Sequence, residues 1–143
     1  MSKATSDRQM NPGERAMRSL TTELAPAGPR WPGRIRVSSR AVATVAGRVV
    51  AECYGVVGVA AKRSRFGSVE LLSPGAYRRG VDVRFADDHI SIDVYVVLEH
   101  GLRITEVAHN IMASVKFTVE RVLGVRVVRV NVNVQALRVD GAL

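Results

Sequence analysis

The sequence predicts an α+β domain of two layers, with a small mixed or antiparallel sheet and two helices packed on one of its faces. The expected order is helix, strands, hairpin, helix, strand. Three observations predict it. Residues 40–54 and 104–123 carry apolar side chains at spacings of three and four, the mark of a helix with one buried stripe. Residues 81–85 and 90–98 alternate apolar and polar around Asp87-Asp88, the mark of a hairpin. Residues 128–136 alternate in the same way directly after a helix that ends at Gly124.

In chain order, residues 1–34 read as a basic, mostly disordered tail. Pro12, Pro26, Pro29 and Pro32, with Gly13, Gly28 and Gly33, interrupt any regular element. Within it, Met17, Leu20 and Leu24 sit at helical spacing, which allows a short amphipathic helix or only a transient turn. Residues 35–143 then form one domain. Ile35-Arg36-Val37 is a short lead-in strand, and Ser38 or Ser39 suits an N-cap. The first helix runs from about Arg40 to Tyr54 with Val42, Val45, Ala46, Val49 and Cys53 inward, and Gly55 stops it. A strand follows from Val56. The segment 62–80 is irregular, with Val69, Leu71 and Leu72 as a short strand or tucked loop.

The hairpin comes next, with Val97 interrupting its polar face as an edge contact. The second helix, about Ile104 to Leu123, points Ile104, Val107, Ala108, Ile111, Val115, Val119 and Val122 inward. In the last strand, strict alternation puts Val128, Val130, Val132, Val134 and Ala136 on the core side. Arg129, Asn131, Asn133 and Gln135 then face water or a partner.

The totals bound the function. Apolar residues are 47%, charged residues 24% and aromatics only 5%, so the core must be built from Val, Ile, Leu and Ala. No apolar run approaches the roughly 18 residues of a membrane span, and Met1–Asp7 lacks the apolar stretch of a signal peptide. The expected location is cytoplasmic, with the lone Cys53 fitting a reducing compartment. Net charge is +8, and residues 1–40 hold 8 Lys/Arg against 3 Asp/Glu. A basic tail attracts nucleic acid, anionic headgroups or an acidic protein surface.

Catalytic chemistry is sparse. His89, His100 and His109 lack metal-site spacing, and Cys53 sits on an apolar helix face. Asp87 and Asp88 read as turn formers. There is no P-loop and no nucleophile elbow. Gly55-Val56-Val57-Gly58 has the shape of an RNA-clamping loop, but its Val pair and the lack of adjacent cations favour a helix stop. The expectation is a non-enzyme with no cofactor, no metal and no small-molecule substrate. The remaining candidates are surfaces. One is the polar strand face of Arg129, Asn131, Asn133 and Gln135. The other is a set of anion contacts: Lys62, Arg63 and Arg65, interleaved with Phe66, together with Arg78 and Arg79.

The chain also resembles a known family. The residues are Ser39-Arg40-Ala41-Val42-Ala43-Thr44-Val45-Ala46 leading to Gly55-Val56-Val57-Gly58-Val59, then Gly80-Val81-Asp82-Val83 with Ile90-Ser91-Ile92-Asp93-Val94-Tyr95-Val96. His100-Gly101-Leu102-Arg103-Ile104-Thr105-Glu106-Val107-Ala108, then Val115 to Val119 followed by Gly124-Val125-Arg126-Val127 and Val130-Asn131-Val132-Asn133-Val134, complete the set. Together, over residues 35–139, they resemble the alkaline shock protein 23 and general stress protein 24 family of bacterial envelope stress response proteins. His100 stands where that family often has Tyr. The resemblance implies a small non-enzymatic protein of cell-envelope homeostasis, which binds copies of itself or a membrane-anchored protein and lies peripherally at the inner face of the cell membrane. The alternative from residues alone is a nucleic-acid-binding module using the basic tail and the Lys62–Arg65 cluster.

Overall fold

The computed structural model describes residues 21–24, 32–62 and 68–139. Strand β1 (Thr21–Leu24) pairs antiparallel with β2 (Ile35–Ser38). Leu24 therefore lies in a strand, not at the end of a short amphipathic helix; β2 supplies ladder partners that an isolated short helix lacks. The rest of the expected tail helix lies outside the described residues.

Helix α1 (Ser39–Glu52) starts where Ser38 Oγ accepts the Ala41 N–H at 3.2 Å. That bond satisfies one of the unpaired amides of the first turn. Ser38→Ala is expected to cost about 1 kcal/mol, read as a lower urea midpoint with an unchanged slope. The buried stripe of α1 is Val42, Ala43, Ala46, Gly47 and Val50. It is turned slightly from the expected one: Val45, Val49 and Cys53 are half-buried at the margin of the core. The reason is a neighbour invisible in the local pattern. A 3-10 segment, Pro74–Gly80, docks on α1 at Gly47, where a Cβ would lie 2.6 Å from Tyr77 Cβ. Only glycine permits that approach.

After α1, Gly55 at φ +84° turns the chain into β3 (Val56–Val59). Residues 69–72 form a tucked loop: Ala60 bridges Leu71, and the Leu72 N–H donates to Val59 O at 2.8 Å. Strands β4 (Val81–Ala86) and β5 (His89–Glu99) form the hairpin, closed by Asp87-Asp88 with Asp87 at φ +48°. Helix α2 (Ile104–Leu123) has the expected bounds and ends at Gly124 in the left-handed conformation, whose N–H donates to Glu120 O at 3.0 Å. Its buried stripe is Val107, Ile111, Val115 and Val119. Ile104 and Val122, expected inward, continue that stripe to the two helix ends, where they are exposed.

Strand β6 (Arg126–Arg138) then runs parallel to β5, so β5, α2 and β6 form a crossover unit. The sheet is mixed. β5 is its centre: β6 follows one edge for its whole length, while β4 and β3 share the other edge in tandem. One core receives both helices and the inward row Ile90, Ile92, Val94, Val96 and Leu98 of β5. Val97 is not an edge contact. It is fully buried in the central strand, opposite Gly58 and Ala136. Leu71 closes over that position, its Cδ2 being 3.1 Å from where a Gly58 Cβ would stand.

Candidate interaction surface

Residues directly opposite in a ladder share a face. The face of the sheet away from the helices is therefore built from rows. Arg126 lies beside His89. Arg84, Ser91 and Arg129 form the next row, and Asp82, Asp93 and Asn131 the next. Tyr95 then sits beside Asn133, and Glu99 beside Arg138 at the far end.

Of the four residues expected on this strand face, three occupy it. Arg129 is exposed and makes no ion pair among the described residues. Asn131 Nδ2 donates to Asp93 Oδ1 at 2.6 Å, and Asn133 Nδ2 to Val94 O at 3.3 Å. Both amides are thus held flat against β5. Gln135 leaves the row. The register shifts between Val96 and Val97 of β5, so Gln135 is the extra residue of a β-bulge and Ala136 stands opposite Val97. A second shift, between Ile90 and Ser91, makes Val128 an extra residue. The expected apolar side of β6 is corrected accordingly. Val127, Val130 and Val132 face the core, Val128 is exposed, Val134 is at the exposed margin, and Leu137 replaces Ala136 inside.

The anion-contact candidates are arranged differently. Lys62 is ion-paired with Asp82, and Arg79 reaches Glu70 at 3.5 Å. The Ala61 N–H donates to Glu70 O, so Lys62 and Arg79 share one rim. Arg78 is exposed beside them. Arg63, Arg65 and Phe66 lie outside the described residues. Exposed pairs of this kind contribute little stability, roughly 0–1 kcal/mol each.

Sequence reasoning placed Arg84 and Tyr95 on the polar side of the hairpin without joining them to Arg129, and it missed Arg126 on that face. The hairpin turn contains the signal for Arg84, because closing it at Ala86 and His89 sets Arg84 opposite Ser91. Arg126 has no such signal, since a strict period of two puts it on the other side.

Among the described residues the titrating groups do not form a reactive cluster. Burial pushes the Cys53 thiol above its usual range, and its Sγ donates to Val49 O at 3.2 Å, so the thiolate is disfavoured. The hydrogen bond with His89 holds the Asp88 carboxyl below the usual range, with Arg126 adding a smaller pull. A shallow groove of about 350 Å³ runs between Tyr54 and the start of α2, lined by Leu102, Arg103, Glu106, Val107 and Asn110. Its charged pair, Arg103 and Glu106, is satisfied internally at 3.2 Å. Among the described residues no three metal-ligating side chains come together, and no helix is long and apolar enough to cross a membrane.

Fold and surface together define a class: a small two-layer α+β domain with one face under helices and one polar face open. The chain belongs to the alkaline shock protein 23 family, a family with a cell envelope-related function, which matches residues 29–139. It is 42% identical to the uncharacterized protein YloU of Bacillus subtilis (strain 168) over 108 residues, covering 75% of this chain and 90% of that one. It is 43% identical to the uncharacterized protein Spy1614 of Streptococcus pyogenes serotype M6 over 112 residues, covering 76% and 91%. The resemblance read from the sequence is thereby shown. Among solved structures, the MamM CTD covers 67% of this chain and 95% of its own at 18% identity and a TM-score of 0.41, too distant to carry an argument.

Proposed function

We propose that the protein is a non-catalytic adaptor or scaffold of bacterial cell-envelope homeostasis, binding a membrane-anchored protein or further copies of itself. It would work in the cytoplasm, at the inner face of the membrane. The observation that carries this reading is β6. It is thirteen residues long, and among the described residues it is paired along one edge only, by β5. An open strand edge beside a polar face offers main-chain hydrogen bonds for affinity and side-chain rows for selection. Family membership in a cell envelope-related group supports the same reading.

The test is an affinity pull-down of the tagged full-length protein from its own cells, with and without nuclease in the lysate and with a 35–143 truncation beside it. Both forms are expected to recover a membrane protein or untagged copies. Arg129→Glu is expected to lower that recovery at least tenfold, while leaving thermal unfolding within about 2 °C because Arg129 is exposed and makes no ion pair among the described residues. Recovery that needs the tail and vanishes with nuclease would reject this reading in favour of nucleic-acid binding through the tail and the Lys62–Arg65 cluster.

A further inference from the structure

The bulge at Val128 does more than bend β6. Arg126 and Arg129 are three residues apart and would point to opposite faces of a regular strand. With Val128 taken out of register, Arg126 stands opposite His89 and Arg129 opposite Ser91, both on the helix-free face. Arg84 of β4 completes the second row from the other side of Ser91. Arg84 and Arg129 are two strand spacings apart, about 10 Å, and Arg126 lies one pleat repeat along, about 7 Å. All three are exposed, and none has an ion pair or hydrogen bond within the limits of a direct contact among the described residues. Asp82 and Asp93 stand in the next row along the sheet, and Asp88, in the turn beside His89, has its carboxylate engaged by His89. Farther along this face Lys62 pairs with Asp82 and Arg138 with Glu99, while the Asp93 carboxylate is held by the neutral amide of Asn131.

We propose that this end of the sheet, Arg84, Arg126 and Arg129 around Ser91, binds the phosphate headgroups of an anionic lipid bilayer. Guanidinium groups present forked donors that match phosphate oxygens. Val128, 47% exposed between two of the arginines, adds an apolar side chain that suits the headgroup boundary. A nucleic-acid strand is a poorer fit. Its stacking platform would be Tyr95, and the row bearing Asp82 and Asp93 stands between Tyr95 and the arginines. This inference goes beyond the adaptor reading, which requires no lipid contact by the domain itself.

The experiment is co-sedimentation of the full-length protein with phosphatidylcholine vesicles, with and without phosphatidylglycerol, at low and high salt. The combined variant Arg84→Gln, Arg126→Gln and Arg129→Gln is compared with Arg36→Gln, Arg40→Gln and Arg48→Gln. Both remove three exposed charges, the second set from β2 and α1, and the tail is intact in both. Circular dichroism checks that each is folded. Wild-type binding is expected only with phosphatidylglycerol and is expected to weaken with salt. The sheet variant should lose about a hundredfold in affinity at low salt, and the control variant tenfold or less.

Equal losses in the two variants would overturn the proposal, leaving only general charge attraction. So would wild-type protein that ignores anionic vesicles, or that binds inorganic phosphate through these residues without binding vesicles. A sheet variant that loses single-stranded DNA but keeps vesicle binding would reassign the cluster to nucleic acid. Because Arg129 is shared with the adaptor surface, Arg84→Gln with Arg126→Gln alone separates the readings. Vesicle binding lost with membrane-protein recovery unchanged supports a lipid contact distinct from the adaptor surface. Vesicle binding kept with recovery lost would overturn the proposal and leave the adaptor reading standing.

Discussion

Gly80→Ala is expected to destabilise the domain by about 3 kcal/mol, near the upper end for overpacking, and to lower Tm by roughly 10 °C. Gly80 ends the 3-10 segment and is buried where it meets β3. A Cβ there would overlap the carbonyl oxygen of Ala60 and Cγ1 of Val59, and would press on Leu72 Cδ1 at 3.2 Å. The first obstacle is backbone, which cannot rotate away as a side-chain tip can. The Ala60 neighbourhood is also fixed by the Leu72 N–H to Val59 O bond and by the Ala60 N–H to Tyr95 O bond. Gly75→Ala, in the same 3-10 segment, supplies the control, because a Cβ there meets nothing within 4 Å. It should change stability by less than about 0.5 kcal/mol. Equal unfolding midpoints for the two variants would show that the segment does not dock as described.

The second large effect is in the central strand. Ile92→Ala should cost roughly 2–5 kcal/mol. Ile92 is fully buried, flanked in the ladder by Val83 of β4 and Val130 of β6. Truncation leaves a void whose walls belong to three strands, so little can collapse into it. Ile35→Ala, at a side chain 64% exposed, should be nearly silent. The net stability of a domain is only about 5–15 kcal/mol, so Ile92→Ala removes a large share of it. Urea unfolding with a common slope would measure both, and a small effect at Ile92 would place the core elsewhere.

The two helices and the hairpin were legible for local reasons. The bounds of α2 match the expectation because its apolar spacing is continuous and Gly124 ends it in a conformation that glycine adopts without a Cβ clash. The hairpin is legible because alternation on both sides of Asp87-Asp88 sets its register. Other features were not legible. β1 depends on pairing with β2 across residues 25–34, which carry no strand pattern of their own. The 3-10 segment looked irregular in sequence because its apolar residues, Ala76 and Tyr77, are too few to show a period. The turn of α1 toward Gly47 followed from that missed neighbour.

The candidate surface was legible in part. Alternation alone identified Arg129, Asn131 and Asn133, and the structure places them together on the helix-free face. Gln135 did not follow; Arg84, expected on the polar side of the hairpin, was not joined to this surface, and Arg126 was not expected on it.

The sequence by itself determined the two α-helices, the strands from Ile35 onward, their order and the family, because spacing and turn chemistry act within a dozen residues. Tertiary structure decided which residues of β6 face which way. A bulge exists only as a mismatch between two paired strands, and β5 lies more than thirty positions away from β6 at every rung of their ladder. The same mismatch brings Arg126 to the side of Arg129, so the charge pattern of the open face is a property of the pairing and not of either strand alone.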